Sequence, residues 1–340
     1  MSFMSEIMEQ PKVAMDLLGA FQTDEYKKNA EWLKKTMQEA APAKFLFVGM
    51  GSSLFAGYIA VSLLTRAGID ARAMEAQEFI DFGTKLLDEH TIVIAISQSG
   101  RSMETVAACE QIKDFPRLAV VTNLPESNLA KYGKTAFLLH AGEEKHTATK
   151  SYTNTVVAVE YISAIITGAD IPEFFGHVQK AAAYMSDMLS KDWSDIRDFW
   201  NGSTYTAMAG SGVSYCTASH AALVMMEAAH ENVADYTVGQ FIHGPIEIIN
   251  EAFCTILYDF EPTVQESVDR VIEHTLNYGG RVILLTNRKN VPVRERMYVI
   301  DIPFEQDTVP MLEIIPMEML TYLVGIQRGL HPGDLYRVHK

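Results

Sequence analysis

The 340-residue sequence predicts an α/β fold of two tandem halves, each a mostly parallel sheet flanked by helices. Two observations carry that prediction. From residue 44 onward, short β-rich apolar runs alternate with helical stretches, the pattern of a parallel sheet covered by helices. The same order then recurs after residue 200: RLAVVTN (117–123) and RVILLTN (281–287) share the arginine, the apolar run and the closing Thr-Asn. Length agrees, since at roughly 150 residues per domain the chain has room for two.

Taken in order, residues 1–35 are expected to form a helical segment ahead of a first half spanning 36–170. In that half KFLFVGM (44–50), TIVIAIS (91–97), RLAVVTN (117–123) and TAFLLH (135–140) read as strands buried on both faces. Helices are expected between them over 54–66, 102–113 and 127–132. The most apolar long run, VVAVEYISAIITGADI (156–171), is interrupted by Glu160, so a buried helix is expected there and a membrane span is not. A charged, amphipathic connector without Gly-Pro linker signals follows at 171–200, which predicts packed halves. The second half, 201–330, opens with TYTAMAGSGVS (204–214) and continues through CTILYDF (254–260), RVILLTN and YVIDIPF (298–304); a tail closes the chain at 331–340. Spacing repeats as well: Ser53 lies 25 residues before Glu78, and Ser214 lies 26 before Gln240.

Composition narrows the partners. Forty-three acidic against 28 basic side chains give a formal net charge of −15, a field that repels nucleic acid and anionic membranes. An anionic small ligand therefore needs a local nest of backbone N–H groups and hydroxyls. The three cysteines are widely spaced with no CxxC pair, and the start, MSFMSEIMEQPKVAMDLL, lacks the basic and apolar regions of a signal peptide. Reduced thiols in a cytoplasmic protein are the expectation. The ten histidines show no HExxH spacing, and GMGSS and AGSGVS fall short of GxGxxG, so no metal, dinucleotide or other cofactor is expected.

One short stretch stands out. ISQSGRSMET (96–105) follows a buried strand with Ser97, Gln98, Ser99 and Ser102 around Gly100. In an open α/β sheet ligands gather beyond the carboxyl ends of the strands, where a turn leading into a helix offers free N–H groups and the positive end of its dipole. A helix cap accounts for one serine. Three serines with a glutamine and a glycine favour a phosphate site. Two further hydroxyl clusters are expected at strand ends of the same half: Gly51, Ser52 and Ser53, and HTATKSYT (146–153) with Ala148 and Thr149. In the second half LYDFEPT (257–263) replaces the polar turn with acidic groups.

GMGSS, ISQSGRSMET, VVTN and TATKSYT resemble the sugar isomerase (SIS) family, in which the serine-rich turn binds the phosphate of a phosphosugar. The resemblance covers nearly the whole chain as a tandem pair of flavodoxin-like, SIS-type halves. EIMEQPKV (6–13) is similar to the segment preceding the isomerase half of glucosamine-6-phosphate synthase. The resemblance implies that Ser97, Gln98, Ser99 and Ser102 hold the phosphate, with Gly51, Ser52, Ser53, Ala148 and Thr149 completing the substrate pocket. It also implies a homodimer with sites near the subunit boundary.

For chemistry, the run 222–249 offers Glu227 and His243. Glu227 follows ALVMM on an apolar helix, where burial would raise a carboxyl towards the range of a base; equally, Glu227, His230 and Glu231 could share an exposed helical stripe. His243, in FIHGP, could shuttle protons or simply support the turn. By resemblance Glu227 matches the glutamate that moves a proton between C1 and C2, and His243 the histidine of ring opening or leaving-group protonation. GQFIHGPIE is similar to the corresponding run of bacterial fructosamine-6-phosphate deglycases. There are departures. Only about 40 residues precede the first strand, so glutamine-derived ammonia is not expected; Val224 stands where the synthase has a lysine; and Arg337, by position, replaces its C-terminal lysine, with Lys340 as another candidate. Arg101 takes a place often held by glutamate. The expectation is a deglycase or deaminase of an aminated 6-phosphosugar. A simple phosphosugar isomerase, or a non-catalytic sugar-phosphate sensor, is the alternative.

Overall fold

The computed structural model describes residues 2–292, 294–304 and 309–337. The chain forms two compact units: an N-terminal unit of residues 9–144 with 148–182, and a C-terminal unit of residues 1–8 and 145–147 with 183 onward. The first helix, α1 (Phe3–Met8), belongs to the C-terminal unit.

The N-terminal unit begins with α2 (Gln10–Ala20) and α3 (Asp24–Glu39). It then runs β1 (Lys44–Gly49), α4 (Gly51–Arg66), β2 (Ala71–Glu75), α5 (Ala76–Asp81), β3 (Thr91–Ile96), α6 (Met103–Gln111), β4 (Leu118–Thr122), β5 (Thr135–Leu138), α7 (Lys150–Thr167) and the start of α8 (Ile171–Leu189). The strands form one parallel sheet in the order β2-β1-β3-β4-β5. Every residue of β3 and β4 is buried, as their unbroken apolar runs require of strands covered on both faces. The apolar run around Glu160 is the buried helix α7, whose residues from Lys150 to Ile166 are all out of solvent among α2, α3 and α4.

Beyond α8, the C-terminal unit has α9 (Ser194–Trp200), β6 (Tyr205–Gly210), α10 (Val213–Ala229), β7 (Val233–Thr237), α11 (Val238–Ile242) and β8 (Phe253–Asp259). It continues with α12 (Gln265–Asn277), β9 (Arg281–Thr286), β10 (Met297–Asp301), α13 (Pro310–Glu313) and α14 (Ile315–Gln327). Its parallel sheet runs β7-β6-β8-β9-β10, the same topology as the first. Small buried residues of α10, among them Ala218, Ala221 and Ala222, let it lie close on β6, β7 and α14. Among the described residues no helix is long and apolar enough to cross a membrane.

Three features differ from the sequence reading. β2 and β7 are strands it did not contain; both are sheet edges, only partly buried, so ARAME and VADYT lack the apolar run of a central strand. Residues 127–132 are a series of turns, where a helix was expected. Their backbone groups are taken elsewhere: Leu129 N–H donates to the Gly100 carbonyl at 3.2 Å, Ala130 N–H to the Ser127 hydroxyl at 3.3 Å, and Leu129 itself is buried in the core.

Glu313, at the end of α13, is fully buried and accepts from the Ser214 hydroxyl at 2.9 Å. Burial pushes its carboxyl up from 4.5 to about 7, against the smaller opposing effect of the hydroxyl contacts. A raised folded-state value means that the protonated form is favoured by folding. The stabilisation is present below the unfolded value of 4.5 and is lost as pH rises through about 7. Urea unfolding should therefore show stability falling by about 3 kcal/mol between acid and mildly alkaline pH from this group. Glu313→Gln should remove that slope and be more stable than the natural chain at alkaline pH; an unchanged slope would contradict the assignment.

Candidate functional site

The strand order of the N-terminal unit reverses between β1 and β3, because β2 lies on one side of β1 and β3, β4 and β5 on the other. At such a switch point the loops leaving the carboxyl ends diverge and open a crevice. Two of the predicted clusters leave from this point: Gly51–Ser53 forms the first turn of α4 after β1, and Ser97–Ser102 links β3 to α6. The strands approach closely there. A Cβ on Gly49 would lie 3.1 Å from the Ile96 carbonyl oxygen and 3.2 Å from the Leu54 nitrogen, so any larger residue would separate the two turns.

The serine turn is not an ordinary cap. Ser102 holds the N-cap position of α6, yet its hydroxyl makes no capping bond to the first helical turn. It donates to Glu104 Oε2 at 3.2 Å and accepts from Thr105 Oγ1 at 3.2 Å. The N–H groups that begin a helix have no partners within it, and a carboxylate or phosphate is favoured beside them. Ser99 Oγ accepts from Arg101 N–H at 3.2 Å, which curls the turn, and Gly100 N–H closes on the Ser97 carbonyl at 3.1 Å. Ser97 is buried, Gln98, Ser99 and Ser102 are half-buried, and Arg101 is exposed.

Residues that sequence reading did not assign to the site hold this turn in place. Asn123 N–H donates to the Gln98 carbonyl at 2.9 Å; its side chain accepts from Ala141 N–H at 2.8 Å and donates to the Gly142 carbonyl at 2.6 Å. One asparagine thus ties the serine turn to the chain leaving β5. The available signal was the Thr-Asn pair repeated in both halves: Thr286 and Asn287 also bond to neighbouring loops, to the Asp259 carbonyl at 3.2 Å and the Phe304 carbonyl at 3.0 Å.

The third cluster is arranged differently. Glu144 Oε1 accepts from Thr149 N–H at 3.0 Å, Thr149 Oγ1 at 3.2 Å and Ser151 N–H at 3.1 Å, and its other oxygen accepts from the Ser151 hydroxyl. An internal carboxylate therefore already neutralises the amino end of α7 and takes the hydroxyls of this cluster. Lys150, almost fully buried, pairs with Glu9 at 2.6 Å. Ala148 is half-buried and Thr149 is buried.

Glu227, His243 and Arg337 lie in the C-terminal unit. Glu227 is half-buried in the last turn of α10, among neither the core residues nor an exposed stripe: His230 is a left-handed C-cap, and Glu231 is buried against Arg328 at 2.5 Å. His243 is exposed and caps α11, whose start is fixed by Thr237 accepting from Gln240 N–H at 3.1 Å. Arg337 is exposed in a tail held at the end of α10, where the Tyr336 and His230 rings meet edge-on at 5.6 Å; Lys340 lies outside the described residues. Among the described residues no group of three or more His, Cys, Asp or Glu side chains is placed to hold a metal ion.

In the C-terminal unit the place equivalent to the serine turn is closed. Leu118 faces Val93 and Val282 faces Thr255, so Ser97 corresponds to Asp259. Asp259 is fully buried, accepts from Thr286 Oγ1 at 3.1 Å and forms a close ion pair with Arg288, which also holds Asp269 at 2.8 Å. Burial raises the Asp259 carboxyl while Arg288 pulls it down.

The geometry of the serine turn can be tested at Gly100. Its φ of +58° suits glycine, and an added Cβ would lie 2.2 Å from Ser127 Oγ. Gly100→Ala should cost about 2–4 kcal/mol in chemical denaturation. Adding Ser127→Gly should return most of the steric share, Thr122 Oγ1 at 2.9 Å remaining, and leave the backbone share. Full recovery, or no loss in the single variant, would show the turn is built otherwise.

Residues 40–164 match the SIS domain family. Over 351 aligned residues the chain is 26% identical to a glutamine–fructose-6-phosphate aminotransferase (isomerizing) of Thermococcus kodakarensis, covering 97% of this chain and 56% of that protein. The chain thus spans about half the length of the curated relatives it matches. Among solved structures, the C-terminal domain of glucosamine-fructose-6-phosphate aminotransferase from Francisella tularensis superposes with a TM-score of 0.82 at 21% identity, covering 98% of each chain. A glucosamine-6-phosphate deaminase from Thermotoga maritima superposes with a TM-score of 0.77 at 18% identity, covering 99% of this chain and 98% of the other. At those identities the likeness is one of fold; the match to the SIS domain family lies over residues 40–164, on the unit that carries the serine turn.

Proposed function

We propose that the chain is a phosphosugar enzyme of the aldose–ketose type, acting as a deglycase of fructosamine 6-phosphate or a deaminase of glucosamine 6-phosphate. The observation that carries this reading is the serine turn at the β1/β3 switch point, where hydroxyls and the start of α6 converge without a capping bond. A phosphate there would take N–H groups of the first helical turn and the hydroxyls of Ser97, Ser99 and Ser102, with Gln98 beside them. The names of the similar proteins, which refer to fructose 6-phosphate and glucosamine 6-phosphate, agree with that ligand class.

In this reading Gly51, Ser52 and Ser53, with Ala148 and Thr149, line the sugar, and Arg101 and Arg337 add positive charge for the phosphate. Glu227 is the base. Removal of a proton from C1 of a fructosamine 6-phosphate gives an enolamine, and its return to C2 gives an imine at C1. Water adds to that carbon, and the amine departs with a proton from His243. For glucosamine 6-phosphate the proton moves from C2 to C1, and water releases ammonia from C2. A simple isomerase needs the same transfer without an amine and is the second reading. No part of the scheme calls for a cofactor. A cytoplasmic homodimer, with no nucleic-acid or membrane partner, completes the proposal.

The test is turnover of fructosamine 6-phosphates, glucosamine 6-phosphate and fructose 6-phosphate followed by mass spectrometry. Glucose 6-phosphate with a free amine identifies a deglycase, fructose 6-phosphate with ammonia a deaminase, and sugar exchange alone an isomerase. Glu227→Gln should lower kcat by about 10³-fold and His243→Ala by about 10²-fold. Ser99→Ala should raise KM about tenfold with kcat little changed. Tight phosphate-dependent binding without any turnover would replace the enzyme with a sensor, and no binding would end the phosphosugar reading.

A further inference from the structure

Between Glu144 and Ala148 the chain makes contacts of another kind, all within the C-terminal unit. Glu6 of α1 is fully buried and accepts from Lys145 N–H at 2.7 Å, while its other oxygen lies 2.9 Å from His146 Nδ1. On the far side of the ring, Nε2 faces Asp334 Oδ1 at 3.5 Å. Next along, Thr147, also buried, donates its N–H to the Gly333 carbonyl at 3.0 Å. Gly333 has φ +89°, and a Cβ there would lie 2.7 Å from His146 Cβ and 2.8 Å from Phe3 Cδ2. The two ends of the chain and an internal loop are thus joined at one imidazole.

A neutral imidazole carries a single N–H and can donate to one of these carboxylates; the protonated ring donates to both. We propose that His146 is a proton-dependent latch that straps the C-terminal segment 331–337 onto the loop leading into Ala148 and Thr149. The charged groups facing the ring are Glu6 from α1 and Asp334 from the strap. When the ring loses its proton, the buried Glu6 keeps the remaining donor, because an unpaired buried carboxylate is costly. The Asp334 side chain, 52% exposed, can turn to water instead. The latch is therefore closed at low pH and opens as pH rises. The strap carries Arg337, so any part this residue plays in substrate binding becomes proton-dependent. That consequence rests on the functional reading above; the latch does not.

Hydrogen exchange of the full chain, read by mass spectrometry and corrected for intrinsic rates, tests it without any substrate. Peptides covering 329–337 should be protected about tenfold more at about pH 5.5 than at about pH 8.5. His146→Gln, which has the same donors at every pH, should abolish that dependence. Asp334→Asn, at a half-exposed position where folding is not at stake, should do the same. Equal protection of the natural chain at both pH values, or an undiminished pH dependence in either variant, would overturn the latch.

Discussion

Asn123 is the residue on which the geometry of the N-terminal unit turns, its backbone N–H on the serine turn and its side chain on the chain beyond β5. A parallel sheet delivers each loop to the same edge, but nothing in the sheet ladder fixes how those loops stand relative to one another once the strands end. Asn123 does so with three hydrogen bonds, one to the serine turn and two to the chain beyond β5. Gly49 sets the remaining spacing by allowing β1 and β3 to approach until the first turn of α4 meets the end of β3. One residue that bonds with both backbone and side chain, and one with no side chain, therefore set how these loops stand.

Negative charge is managed by the same logic. The chain is strongly acidic overall, and several carboxylates are spent internally where a bound anion could otherwise sit. Glu144 closes the start of α7, Asp259 fills the equivalent of Ser97, and Glu313 takes the hydroxyl of Ser214 near the start of α10. The serine turn has hydroxyls and glycine, with one carboxylate, Glu104, bound to Ser102. On the proposed function, selectivity for a phosphate would come from which N-termini are already neutralised as much as from the residues of the turn itself.

The central strands, the tandem repeat and the serine turn were legible in the sequence because each is written locally, as an apolar run, a repeated heptapeptide or a dense polar cluster. The edge strands β2 and β7 were not, since half-exposed ARAME and VADYT resemble loop as much as strand. Residues 127–132 misled for a related reason: Leu129 supplies an apolar residue in a helical-looking spacing, but its N–H belongs to Gly100, across the sheet edge. Side-chain bonds between distant segments, such as those of Asn123, Glu144 and Glu6, leave no periodic trace. Burial also divided what spacing joined, because Glu231 is buried while Glu227 and His230 are half-buried.

Asp259 has a thermodynamic consequence. A ligand that binds only the folded form of one unit raises that unit's stability by mass action, in proportion to the logarithm of its concentration. At the C-terminal switch point the carboxylate of Asp259 and the guanidinium of Arg288 are covalent parts of the chain, so that unit carries its counter-ion with it. In the N-terminal unit the equivalent place is held by the hydroxyl of Ser97. If the serine turn takes a phosphate as proposed, two halves with one topology obey different rules: one has a stability written into its sequence, the other a stability that its surroundings can set.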